Sequence, residues 1–341
     1  MSISQSSNPR VNYYIKNIVA IIISILYAVV LSSFSNDLFY DRENYIIYAT
    51  YSNDILNSYS SLSYLFNEPL FLYYNSLLSN LFPFEVVPKI GVFFTAFTLM
   101  YFISKYAESF LKFILGFLLL IFVSYTFHLQ LVALRQGIAT AFFIWIVYFF
   151  WNKKIFYPLC LLLPFFHSSF FIISAVLLYN DVLSYKIKDV KKLIIILIIS
   201  LSFFSLFLLQ VASILGVRQA TEDHLLTSQN SGGGFVLFLF IFLFMFFRGL
   251  NNIYRDKFGK IAILGLVVYL TFYFTIPISG RIIGTFLPFM YVYIVSSRNI
   301  KVAFASIVFL IVNIYLFHSS VTNNSLTLEG VRYFNKIFFI G

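Results

Sequence analysis

The chain has 341 residues, 60% of them hydrophobic and only 11% charged, with a mean hydropathy of +0.89. This composition excludes an ordinary soluble domain, whose helices keep one polar face, and points to a polytopic helical membrane protein with apolar runs along nearly its whole length. The net charge of +10 gives no nucleic-acid signal, because the 23 lysines and arginines sit mostly in short loops between apolar runs, and the single cysteine, Cys160, excludes an internal disulfide framework.

The first apolar stretch, 18–31, follows Arg10 and Lys16. It carries no convincing small-residue cleavage site and reads as a retained signal anchor, so no cleaved targeting peptide is expected. A first helix over about 14–34, starting in the cytoplasm, opens onto a polar outer segment, 35–69, that contains Asp41, Arg42, Glu43, Tyr45 and Glu68-Pro69. Residues 70–83 are apolar but short and interrupted by Asn75, Ser76, Ser79 and Asn80, which predicts a re-entrant or interfacial helix and a first outer loop spanning 35–85. Helices follow over about 86–104, 113–127 and 134–151, the last reaching the cytoplasm at Trp151-Asn152-Lys153-Lys154.

The next stretch, 155–180, has basic loops at both ends, and a single crossing cannot leave both on one side. A hairpin of two short helices broken near Pro164 and His167 can, since broken helices at depth are tolerated where they line a cavity. Further spans are expected over about 192–215, 234–248, 260–277, 282–297 and 302–319, with a second outer loop, 216–233, whose glycines allow mobility, and an outer C-terminal tail. The expected architecture is therefore all-α and polytopic, with about ten to twelve transmembrane helices in one integral domain over 1–341.

This arrangement separates the charges. Of the 23 lysines and arginines, all but Arg42, Lys89, Arg135, Arg218, Arg281, Arg332 and Lys336 fall on the cytoplasmic side. Nine of the 13 acids fall outside: Asp37, Asp41, Glu43, Asp54, Glu68, Glu85, Glu222, Asp223 and Glu329. The inner loops read as orientation signals, so the chemistry is expected at the outer face.

Arg135 and Arg281 each open an apolar helix on that face. A lone arginine there can snorkel to lipid headgroups. Several converging arginines instead make a diphosphate clamp, because a planar guanidinium binds phosphate oxygens through two donors at once. Arg281 follows Pro277 and Gly280, a helix break suited to a cavity, and Arg218 is a third member or a solvated loop residue. His167, beside Ser168 and Ser169, is either a hydrogen-bonded interior residue or a proton-transfer or pyrophosphate-contacting group; His128, His224 and His318 read as structural. A carboxylate among Asp41, Glu43 and Glu68 can act as a general base toward a sugar hydroxyl or bind sugar hydroxyls directly, although charges in an outer loop are also commonly just solvated. No metal-ligand spacing, phosphate-cradling glycine loop, nucleotide fingerprint or serine nucleophile motif is present, which disfavours hydrolase and ATPase readings.

Several of these stretches together resemble the EpsG/Wzy family of bacterial polysaccharide polymerases, which act on O-antigen, capsule and exopolysaccharide repeats. They are DRENY (41–45), NEPLF (67–71), LRQGIATAF (134–142), LPFFHSSFFIIS (163–174) and SGRIIGTFLPF (279–289), in the family's order. After Arg281 the chain reads Ile-Ile-Gly-Thr-Phe where the family pattern implies an earlier aromatic, so the register of that helix is the weakest part of the match. The resemblance implies a membrane fold similar to GT-C glycosyltransferases, with an active site formed by outer loops. It implies inverting transfer of a chain on undecaprenyl pyrophosphate to a new lipid-linked repeat, at the periplasmic face of the bacterial inner membrane. By that likeness Arg135, Arg281 and Arg218 hold pyrophosphate. Asp41, Glu68 and His167 belong to the catalytic set, Glu43, Tyr45 and Gln136 contact sugar, and no metal or soluble cofactor enters. The implied partners are the lipid-linked repeats, the bilayer, a chain-length regulator of the Wzz type and a flippase of the Wzx type.

Two other classes compete. A lipid-linked oligosaccharide ligase or other GT-C-type enzyme would use the same chemistry on a different acceptor. A transporter or flippase of lipid-linked sugars would be expected to show internal repeats with ionisable residues in corresponding halves, and the sequence shows no such symmetry.

Overall fold

A computed structural model describes residues 9–59, 61–214, 232–275, 279–322, 331–332 and 337. Among them the chain is almost wholly helical, with fifteen α-helices, two short 3₁₀ turns and one isolated bridge, Phe39 to Val331. Helix α1 (Pro9–Ser32) packs along α5 (Val87–Tyr106), and the outer segment between them folds into α2 (Asp41–Ser58), α3 (Ser61–Phe66) and α4 (Pro69–Ser79). Next come α6 (Phe110–Phe122), α7 (Ser124–Leu131), α8 (Leu134–Phe150), α9 (Phe156–Cys160), a 3₁₀ turn over Leu163–Phe165 and α10 (Phe170–Lys186). The remainder is α11 (Val190–Ile214), α12 (Gly233–Arg255), α13 (Lys257–Phe272), α14 (Ser279–Ser296) and α15 (Ile300–Thr322).

The core lies where α5, α8, α13 and α14 meet, because these helices are apolar on nearly every face and must be surrounded. Gly265 of α13 lets the ring of Phe286 in α14 lie where a side chain would stand, which brings the two helices close. Helices α1, α11 and α15 are different: they turn Ile18, Leu26, Phe203, Ile307 and Ile311 outward. Exposed apolar surface on that scale suits lipid and not water.

Among the described residues four helices are long and apolar enough to cross a membrane: Tyr14–Ser32, Val87–Tyr106, Val190–Phe207 and Ile300–Ser319. The number rises to six if each of two bent pairs is one span, Phe110–Phe122 with Ser124–Leu131 (72°) and Gly233–Phe247 with Gly249–Arg255. The chain is thus a multi-pass helical membrane protein, and its described residues hold fewer full-length spans than the ten to twelve expected. Apolar runs that look like spans are bent or stop short: α8 has 17 residues and α13 has 16, against the roughly 20 that a straight crossing needs. Most of the second outer loop, including Arg218 and His224, lies outside the described residues, as does Pro277.

The stretch after α8 does turn back on itself. Proline at 158 and 164 and the 3₁₀ turn interrupt the ascending arm, and α10 forms the return. Both arms start and finish at the same end of the bundle. There Lys260 Nζ pairs with Asp181 Oδ1 at 2.8 Å, Tyr157 donates its hydroxyl to Asp181, and Tyr254 donates to Asn180 at 2.7 Å. Lys257 meets the carbonyls of Val147 and Tyr148 at the same end of α8. Glu108 pairs with Lys112 and Arg298. Asp189 and Asp256 accept backbone N–H groups at the starts of α11 and α13. The acids among these basic loops therefore serve helix ends and ion pairs. Cysteines placed at Lys154 and Lys186 are expected to be modified by impermeant reagents from the cytoplasmic side only; labelling on opposite sides would remove the hairpin.

Candidate active site

At the other end of the hairpin a cavity of about 280 Å³ opens between five segments: the start of α2, the residues before α4, the start of α8, the hairpin tip and the start of α14. Asp41, Asn44, Tyr45 and Tyr48 all line it, because the i, i+3, i+4, i+7 spacing puts them on one face of α2. This part of the segment expected as the first outer loop is helical.

Two devices set the position of α8. Gly137 lets the Leu129 carbonyl of α7 approach where a methyl group would clash. Arg42, 1% exposed, donates from Nε and Nη2 to the Leu131 carbonyl at 3.1 and 2.7 Å and from Nη1 to Asn36 Oδ1 at 3.2 Å. It thereby satisfies a carbonyl left open at the end of α7 and ties α2 to the α7–α8 turn.

Arg135, in the first turn of α8, does not reach for the surrounding lipid. Its Nη1 pairs with Glu68 Oε2 at 2.5 Å, and the guanidinium lies over the rings of Tyr48 and Phe71 at 5.4 and 5.9 Å. The Arg135 side chain keeps 30% of its surface open while that of Glu68 keeps 5%. The second Glu68 oxygen, Oε1, accepts the backbone N–H of Ser168 at 3.0 Å, which joins the hairpin tip to the pair. Burial pushes the Glu68 carboxyl up, but the adjacent Arg135 charge and the Ser168 N–H outweigh it and hold the group below the usual carboxylate range. The carboxylate is ionised at neutral pH, and the pair's contribution to stability is lost only as pH falls through that depressed value.

The remaining expected residues divide. Asp41, Tyr45 and Arg281 line the cavity together with Glu68 and Arg135; Asp41 is half-buried and Arg281 is exposed at its edge. Gln136, expected to touch sugar, is buried off the cavity: its amide donates to the Arg281 carbonyl and to Thr285 Oγ1 at 2.9 Å, fixing the start of α14. A side chain that follows Arg135 by one position points some 100° around the helix, away from it. Glu43, also expected at sugar, is turned to Arg332 Nη1 at 2.8 Å on the outer surface. His167 is buried behind the wall with Nδ1 2.7 Å from Ser169 Oγ, and its neighbour Ser168 lines the cavity instead. The Ser168 hydroxyl is buried without a hydrogen-bond partner among the described residues. The sequence reading missed Asn44, Tyr48, Phe71 and Ser168; a helical reading of 41–48 would have found the first two beside Asp41.

The cavity therefore combines two guanidiniums, one paired and one at the edge, with a half-buried carboxylate and an aromatic wall. Such a set can hold a phosphorylated, hydroxyl-rich ligand and accept a proton from it. In comparison with protein families, the EpsG family model matches residues 12–335. No curated protein and no solved structure matches the chain.

Proposed function

The chain belongs to the EpsG family, and on that premise we propose that it is a polysaccharide polymerase acting on undecaprenyl-pyrophosphate-linked repeats at the outer face of the bacterial inner membrane. The observation that carries this reading is the single cavity lined by Asp41, Arg135 and Arg281, drawn from three distant parts of the chain. An acceptor sugar hydroxyl attacks the anomeric carbon of the growing chain, and the bond from that carbon to the phosphate oxygen breaks with inversion. Undecaprenyl pyrophosphate leaves with the bonding electrons while Asp41 takes the hydroxyl proton. Arg135 and Arg281 stabilise the charge that collects on the leaving diphosphate. The rings of Tyr45, Tyr48 and Phe71 give the apolar faces of the sugars a surface to pack on. The donor is already activated, so the transfer draws on no soluble cofactor.

Two features support this site over a lipid-anchoring role for the arginines. Arg135 is engaged by a carboxylate and two rings, where a snorkelling side chain would extend freely. From Arg135 to Phe150, α8 rises about 22 Å at 1.5 Å per residue, less than the roughly 30 Å of hydrocarbon, a length that suits a site recessed from the outer interface, which a lipid diphosphate would enter from the side. A Wzx-type flippase would supply the repeats and a Wzz-type regulator would set chain length. Purified protein in lipid nanodiscs, given lipid-linked repeats alone, is expected to build a ladder of chain lengths. A single transfer to a different acceptor would make it a ligase, and no new glycosidic bond would remove the enzymatic reading.

A further inference from the structure

Glu68 is the only non-glycine residue with a positive φ among the described residues, at φ 59° and ψ 51°. L-residues occupy that region at a cost, and such outliers persist where the surroundings over-determine them, often at functional sites. The surroundings here are specific. One carboxylate oxygen meets Arg135 of α8 and the other meets the Ser168 N–H of the hairpin tip, so three segments remote in sequence share one side chain. Each oxygen already has a protein donor and the residue is buried, so although its edge lines the cavity the carboxylate is directed at Arg135 and the hairpin tip. Asp41 lines the same cavity and differs in having no ion-pair partner among the described residues.

We infer that Glu68 is a positioning residue for the transfer, one that holds the Arg135 guanidinium and the hairpin tip in register while Asp41 takes the proton. This assignment rests on the polymerase reading of the same cavity. The depressed titration of Glu68 agrees with it, since a carboxylate held strongly ionised is a weaker base.

The test compares wild type, Glu68→Gln and Glu68→Asp in nanodiscs for kcat, KM for the lipid-linked donor and the pH–rate profile. Binding of undecaprenyl pyrophosphate is measured on the same preparations without acceptor. Glutamine keeps an acceptor for Ser168 but not the charge that aims Arg135. Its kcat/KM is expected to fall about 10²-fold, as for a misplaced catalytic contact, with weaker undecaprenyl pyrophosphate binding and the acid limb of the pH profile retained. Glu68→Asp, which restores the charge, should recover part of the loss. An acid limb erased in Glu68→Gln with KM and binding unchanged would make Glu68 the base and overturn the inference, as would a fully active variant. If Glu68→Gln does not accumulate, Glu68→Asp is combined with Arg135→Lys: losses below additive support the inference and additive losses overturn it. Should wild type build no polymer, the polymerase reading fails on its own, while the binding comparison still decides whether Glu68 aims Arg135.

Discussion

Arg281→Lys and Arg135→Lys are each expected to lose polymer by about 10²-fold or more while the protein still inserts and accumulates, because lysine keeps the charge but not the planar fork that grips two phosphate oxygens. Lysine at 135 can still reach Glu68, so the ion pair that joins α8 to the outer segment survives and the loss reports on the ligand and not on folding. At 281 the residue is exposed and its side chain makes no ion pair among the described residues, which makes that variant the cleaner of the two. Combined, the two substitutions should cost less than the sum of their separate effects, since groups acting on one leaving group fail as a unit. The measurement is chain-length distribution on lipid-linked product with membrane abundance determined in parallel. If both lysine variants gave wild-type ladders, the arginines would be headgroup anchors, for which lysine serves equally well.

Asp41→Asn is expected to reduce the rate by roughly 10²–10⁴-fold, the usual contribution of a general base, with undecaprenyl pyrophosphate binding close to wild type. Asparagine preserves the shape of the side chain and its place at the first turn of α2, so the helix and its tie through Arg42 remain. The decisive quantity is kcat in the presence of saturating donor, compared with Glu68→Gln under the same conditions. A near-normal rate in Asp41→Asn would take the proton-accepting role away from this residue.

How far the sequence reaches can be followed along α2. Its polar composition suggests a solvated loop, yet the helix buries Arg42, Tyr45, Ala49, Ser52 and Leu56 and turns Asp41, Asn44, Tyr45 and Tyr48 toward the cavity. The periodicity was present in the sequence, but it separates two polar environments, solvent and cavity, and hydropathy cannot distinguish them. The hairpin shows the opposite case. Basic residues on both flanks demanded an even passage, and prolines marked the break, so a local pattern was enough to foresee a turn that the packing of α10 on α9 then realises. Gln136 shows where adjacency misleads, since neighbours on a helix diverge by about 100° and only one of two can face a given wall.

By itself the sequence determined that this is a multi-pass membrane protein, which end of it is basic, and that arginines stand at the mouths of apolar helices. These properties follow from hydrophobicity and charge summed over short windows, which hardly depend on distant residues. Only the tertiary structure decided that, of the two carboxylates lining the cavity, Glu68 is the one engaged by other parts of the chain. Glu68 and Arg135 lie 67 positions apart, and Glu68 and Ser168 lie 100 apart. A pairing of that range depends on the bend at α7, the glycine at 137 and the left-handed residue before Pro69 acting together. Burial of the Glu68 carboxylate then makes leaving it unpaired costly, a selection that no local pattern encodes.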